Sequence, residues 1–221
     1  MNFIREKYKN IWWFVLFLLF SPTLIRASYL KWKLKENKDD VRDLIKSRNS
    51  LYLTVTAILA VILLILEDNI DKNCLKWLAI GVGYYAFSRV NEIFISFIKD
   101  ASSHLRYEER ASTLKYHQRI PLAMKSYLEL IILYGVIAYA LQLFQITMLC
   151  CDDFHCELDV WKAIYYSGVT ITTLGYGDIT PNHFIAELMA IYEVVNGFSL
   201  IIVSFTVYVA RSISDQEHKK L

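Results

Sequence analysis

Polar and apolar positions along this chain do not alternate; they come in blocks. Apolar runs cover residues 11–25, 51–66, 75–98, 127–149 and 184–210, with charged stretches between them. Most approach the roughly 20 residues that a helix needs to cross a bilayer. Backbone amides in hydrocarbon must be paired within their own segment, so such runs predict helices. The first is short and is ended by Pro22 and Arg26. A helix-start signal at Asn49 and Ser50 opens the second, and Arg89, Asn91 and Glu92 interrupt the third. Between the fourth and fifth lies WKAIYYSGVTITTLGYGD, semi-apolar and too short to span and return. That is the profile of a re-entrant loop, tolerated at membrane depth only where protein buries it or it lines a watery cavity. The pattern predicts an all-α integral membrane protein. An outer helix, a re-entrant helix over about 159–172 and an inner helix follow two or three N-terminal membrane helices.

Composition sharpens this picture little, and charge placement sharpens it more. The 221 residues are 55% hydrophobic with a net charge of only +2, and no basic run interleaved with aromatics speaks for nucleic acid. Residues 26–48 hold eight basic side chains and 99–125 hold six, whereas 67–74 hold one and 149–161 none. An excess of Lys and Arg marks cytoplasmic loops. Both basic loops are therefore expected inside, CCDDFHCELD outside and the C-terminus cytoplasmic, in a multi-pass protein of the cell membrane. A full crossing by 11–25 would leave Arg5, Lys7 and Lys9 outside; the alternative is an interfacial helix anchored by Trp12 and Trp13. No cleavable leader is convincing, because no small-residue site follows the apolar run. The expected division is a helical membrane module over 1–98, a cytoplasmic linker or slide helix over 99–126, a pore region over 127–212 and a short tail over 213–221.

The candidate chemistry lies at residues 172–181, TTLGYGDITP. Two glycines between apolar helices cost about 1 kcal/mol each as helix formers, so something other than packing must offset them. A dehydrating cation needs several weak oxygen sites in series, which successive backbone carbonyls provide. Turning those carbonyls the same way requires unusual dihedrals, which Gly175 and Gly177 allow. Thr173 adds a hydroxyl oxygen at the inner end, and Tyr176 turns outward.

TTLGYGD resembles the selectivity-filter motif of potassium channels, whose carbonyl coordination is the standing example of this chemistry. The resemblance covers about 127–212 and is similar to the simple two-helix bacterial channels without gaps as far as the inner-helix glycine. It implies K+ at the carbonyls of Thr173, Leu174, Gly175 and Tyr176, with Gly177 completing the filter. Asp178 and Pro181 fall where that family has an aspartate and a proline. Leu174 replaces the frequent valine without changing the carbonyl. Gly197 falls on the family's gating-hinge glycine; close helix packing is the other reading of it. Val169 stands where the best-known members carry a glutamate paired with the aspartate, so Asp178 is expected to find Tyr165 or Tyr166 of a neighbouring pore helix instead. One chain supplies one filter strand and the cage needs four, which implies a homotetramer. The function implied is passive, potassium-selective conduction with no catalysis and no cofactor besides the permeant K+. A regulatory or silent subunit that needs a partner is the alternative, and a receptor or enzyme built on the N-terminal helices would need a nucleophile or metal constellation that is not seen.

Other polar positions support less. Asp152, Asp153, Glu157, Asp159 and Asp178 form an acidic outer mouth, which would concentrate cations. The pore helix aims its negative end at the cavity below. Glu193 and Asn196 lie one turn apart at membrane depth, where ionisable groups are costly; they either pin the inner helix to Ser167 or Thr170 or serve gating. A dedicated voltage sensor needs several arginines in one helix, and residues 75–98 hold one. Residues 102–121 are expected as a slide helix or a plain linker, with Pro121 marking a break. Cys150, Cys151 and Cys156 are expected to form a disulfide such as Cys151–Cys156, with free thiols or a zinc site as the alternatives. About ten residues follow the inner helix, so any gate is expected to answer to the N-terminal module, lipid, pH or an unknown regulatory protein.

Overall fold

A computed structural model describes residues 21–33, 37–105, 114, 116–145, 149–151 and 158–204. Among these residues six helices carry the fold: α1 (Pro22–Lys33), α2 (Lys38–Leu66), α3 (Lys72–Leu105), α4 (Tyr116–Leu143), α5 (Val160–Ile171) and α6 (Phe184–Phe198). A π-helical turn, Ser199–Ser204, continues α6. Two three-residue strands, β1 (Leu149–Cys151) and β2 (Ile179–Pro181), pair antiparallel with Cys150 opposite Thr180.

Among the described residues, three helices are long and apolar enough to cross a membrane: Asp39–Leu66, Gln118–Leu143 and Phe184–Ile201. Helix α3 has the length but not the composition. Its Arg89, Asn91 and Glu92 are buried among neighbouring helices, so they break the apolar run without facing lipid. The outward faces agree: Leu51, Ile58, Val61, Ile62 and Ile65 of α2 are exposed, a surface suited to acyl chains. The whole is an all-α membrane fold, as the apolar blocks predict.

Helix ends differ from the sequence reading for local reasons. Helix α2 begins after Asn37, whose side chain accepts from the Asp39 N–H, not at Asn49. Asp39 and Asp40 in its first turn suit the positive end of the helix dipole, so the helix extends well into the charged stretch. Helix α4 runs through Pro121 instead of breaking before it. So near the N-terminus, the proline removes a single bond of the first turns. The same helix stops at Leu143, where Gln145 turns left-handed at φ 54°. The first apolar block lies mostly in residues 1–20, so its crossing falls outside the described residues; α1 begins where that block ends. Nine residues of the expected slide helix, 106–113 and 115, are likewise outside them.

The core gathers around α4. Leu130, Leu133, Tyr134 and Val136 are buried between Ala86 and Val90 of α3 and Val160 and Ala163 of α5. Gly135 lets α5 come very close: a Cβ there would meet the Ile164 Cα at 2.6 Å.

Candidate functional site

The re-entrant helix α5 is built to be held at both ends. Asp159 is its N-cap, accepting from the Lys162 N–H at 2.6 Å, and Glu67 from the α2–α3 turn accepts from the Val160 N–H at 3.0 Å. Two carboxylates thus meet the positive end of the helix dipole. Its buried face is Val160, Ala163, Tyr166, Ser167 and Ile171, a helical spacing that packs on α4. At the other end, Tyr127 of α4 donates to the Ile171 carbonyl at 3.3 Å.

Beyond α5 the chain leaves helix through Thr172 and enters the quoted loop. Thr173, Gly175 and Gly177 have φ of 59°, 57° and 79°, whereas Leu174 and Tyr176 do not have positive φ. A left-handed threonine costs about 1–2 kcal/mol, a strain that persists only where the surroundings fix it. The Thr173 N–H donates to the Thr170 carbonyl and the Leu174 N–H to the Val169 carbonyl, both at 3.0 Å. No atom beyond the neighbouring residues lies within 4 Å of where a Cβ would stand on Gly175 or Gly177; backbone hand, not space, calls for glycine there. Leu174 and Tyr176 are 60% and 67% exposed in the single chain. Asp178 hydrogen-bonds Tyr165 of its own chain. Tyr166 is on the buried face instead and bonds the Thr170 side chain.

The inner helix is pinned to this assembly by polar contacts. Ser167 donates to Glu193 at 2.5 Å, and the Asn196 amide donates to the Tyr134 hydroxyl at 2.9 Å. Gly197 sits against the end of α5: a Cβ would lie 2.7 Å from Ile171 Cγ1 and 3.3 Å from its carbonyl oxygen. The π-helical turn starts two residues later, at Ser199.

Residues 126–213 match the model of a family described as ion channel. The match takes in α4 from Ser126 onward, α5, the Thr173–Gly177 loop and α6, and leaves α1 to α3 outside it. No curated protein and no solved structure matches the chain.

Three contacts were not legible in the sequence. Glu67 caps α5 from across the fold, which only the packed turn reveals. Arg89 of α3 forms a two-pronged pair with Glu129 of α4, at 2.7 and 3.1 Å, and also meets Glu92 at 2.9 Å. Glu129 is 0% exposed; a lone carboxylate inside an apolar run was the available signal for it. Asn91 of α3 accepts from the Tyr192 hydroxyl of the inner helix at 2.6 Å. Among the described residues no cluster of three metal-ligating side chains occurs. Cys156 and the side chains of Cys150 and Cys151 fall outside what is described, and so does their pairing; Asp152, Asp153 and Glu157 of the acidic mouth do as well. Cys74 is a free, exposed thiol.

Proposed function

We propose that the chain is one subunit of a potassium-selective channel in the cell membrane, its C-terminus on the cytoplasmic side. Four copies bring their Thr173–Gly177 loops around one axis, and K+ passes down its gradient between their carbonyl oxygens. The observation that carries this reading is the left-handed backbone at Thr173, Gly175 and Gly177, alternating with Leu174 and Tyr176, which are not left-handed. Alternating hand turns successive carbonyls toward one side, the arrangement a carbonyl-lined filter needs. The match of 126–213 to an ion channel family supports it.

Assembly is supported by what one copy leaves bare. Phe184, Leu188, Ile191 and Val195 form an exposed stripe along α6, and Trp161 at the start of α5 and Tyr176 within the loop are exposed as well. In a membrane such a stripe is covered by lipid or by another copy, and a ring of identical copies covers it with closed symmetry. Gly197, followed by a π-helical turn, is the place for the inner helix to bend, since π-bulges concentrate at functional sites.

The test is flux through liposomes that contain only the purified full chain. Potassium flux well above sodium flux is expected, and Gly175→Ala is expected to abolish it, because alanine resists φ of 57°. Equal sodium flux, or potassium flux that survives the substitution, would overturn the reading.

A further inference from the structure

One stretch of α6, Tyr192 to Gly197, carries contacts to three neighbouring helices. Tyr192 donates to Asn91 of α3, Glu193 accepts from Ser167 of α5, Asn196 donates to Tyr134 of α4, and Gly197 lies against Ile171 of α5. The two contacts with α5 are in register: Glu193 and Gly197 are four positions apart, and so are Ser167 and Ile171. Four residues make about one turn, so the two helices run side by side in the same direction, each contact one turn from the other. The contact at Gly197 is steric and limits how closely the helices approach. The bond from Ser167 to Glu193 opposes their separation.

Both partners of that bond are out of reach of water, Ser167 at 0% exposed and Glu193 at 2%. Among the described residues the Ser167 hydroxyl is the one side-chain donor to the Glu193 carboxyl. A buried polar group that loses its partner finds no water to replace it, so parting α5 from α6 leaves two groups unmet at once.

Ser167 stands at the head of the last turn of α5, and that turn is bonded directly to the loop beyond it. The Gly168 carbonyl accepts from the Thr172 N–H and hydroxyl, the Val169 carbonyl from the Leu174 N–H, and the Thr170 carbonyl from the Thr173 N–H. A shift of Ser167 therefore carries Thr173 and Leu174 with it. Thr173 is left-handed at φ 59°, a conformation that persists only where the surroundings hold it.

We propose that Glu193 is a positioning residue for potassium binding: through Ser167 it holds the last turn of α5, and with it Thr173 and Leu174, in the conformation whose carbonyls receive the ion. It does not touch the ion itself. The inference rests on the channel reading and adds to it a residue of the inner helix. Potassium that binds only the held conformation is bound more weakly in proportion to the fraction of loops that are held. One hydrogen bond shifts that fraction by up to about tenfold.

The test is the potassium affinity of the purified full chain in detergent, from calorimetric titration and from the rise in thermal midpoint when potassium replaces sodium. Glu193→Asp withdraws the carboxyl by one methylene and is expected to weaken potassium binding about five- to tenfold. Ser167→Ala is expected to do the same, and the double variant to be no weaker than either single one. Glu193→Gln keeps an acceptor oxygen at the same reach and is expected to bind potassium as the parent does. Ser167→Cys keeps the volume and weakens the donor, so a graded loss stays readable if the larger changes prevent assembly. A merely structural role lowers the midpoint in sodium and leaves potassium affinity unchanged; that result overturns the proposal, and so does an additive loss in the double variant. A loss with Glu193→Gln as large as with Glu193→Asp places the effect in the charge and overturns the bond. A parent that does not prefer potassium to sodium ends the channel reading and this inference with it, whereas a potassium-preferring parent with unchanged variants ends this inference alone.

Discussion

At Gly197 a single missing methyl group decides how two elements meet. The place a Cβ would take lies 2.7 Å from Ile171 Cγ1, so Gly197→Ala must push α6 off the end of α5. Overpacking of this kind costs about 1–3 kcal/mol. A lowered thermal midpoint of the purified protein is expected, together with a changed open probability in single-channel recordings. Glu67 offers a second residue-scale test. Burial pushes its carboxyl above the ordinary value; the Val160 N–H opposes this, and the Asp159 and Asp68 charges add to it. A raised value in the folded state means a contribution to stability that is present below the ordinary carboxylate range and lost as pH rises through the raised value. Glu67→Gln keeps an acceptor for Val160 and cannot ionise. The gap in thermal midpoint between variant and parent is therefore expected to open, in favour of the variant, as pH rises from the ordinary carboxylate value. A gap that stays flat across that window would mean the Glu67 charge is not desolvated.

At the scale of elements, α3 and α4 are joined by an ion pair that is expensive to break. Arg89 reaches Glu129 with two nitrogens and Glu92 with a third. Arg89→Ala would leave two buried carboxylates without their cation, a loss of about 3–5 kcal/mol. The combined variant Arg89→Met, Glu92→Gln, Glu129→Gln removes the charges together and is expected to recover most of that loss in denaturant titration in detergent. This pairing is also where sequence reading ran short. Arg89, Asn91 and Glu92 stood out as polar interruptions, but the partners of Arg89 and Asn91 on other helices, Glu129 and Tyr192, are forty or more positions away. Hydrophobic blocks reveal which segments cross the membrane and say nothing about which faces meet. The early start of α2 at Lys38 was missed for a related reason: a cap at Asn37 and the first-turn acids Asp39 and Asp40 extend the helix through charged residues that a hydropathy pattern reads as loop.

For the whole molecule, the contacts that matter most join the N-terminal helices to the pore region. Tyr192 of the inner helix donates to Asn91 of α3, and its ring stacks edge-on with Phe94 at 6.1 Å. The α3 helix therefore touches the element that must move if the pore gates. Tyr192→Phe keeps the ring and leaves Asn91 Oδ1 without its donor, at a cost of about 1–3 kcal/mol. If α3 steers the inner helix, the voltage-independent open fraction in bilayer recordings shifts while ion selectivity stays unchanged. A change in selectivity instead would place Tyr192 in support of the filter.

By itself the sequence determined the membrane class, the order of the pore elements and the loop at 173–177, because apolar block length and glycine placement are local properties that a bilayer and a backbone dihedral read directly. The reach of α5 from Val160 to Ile171 was legible in the same way, from its N-cap and the glycines that follow. Only tertiary structure decided what holds that helix in place. Glu67 comes to its N-terminus from 93 positions away and Tyr127 to its C-terminal end, while Glu193 meets Ser167 on its body, one of the two partners the sequence had offered. Whether a charge is paired or left over depends on which helices lie side by side, and no period in the chain records that.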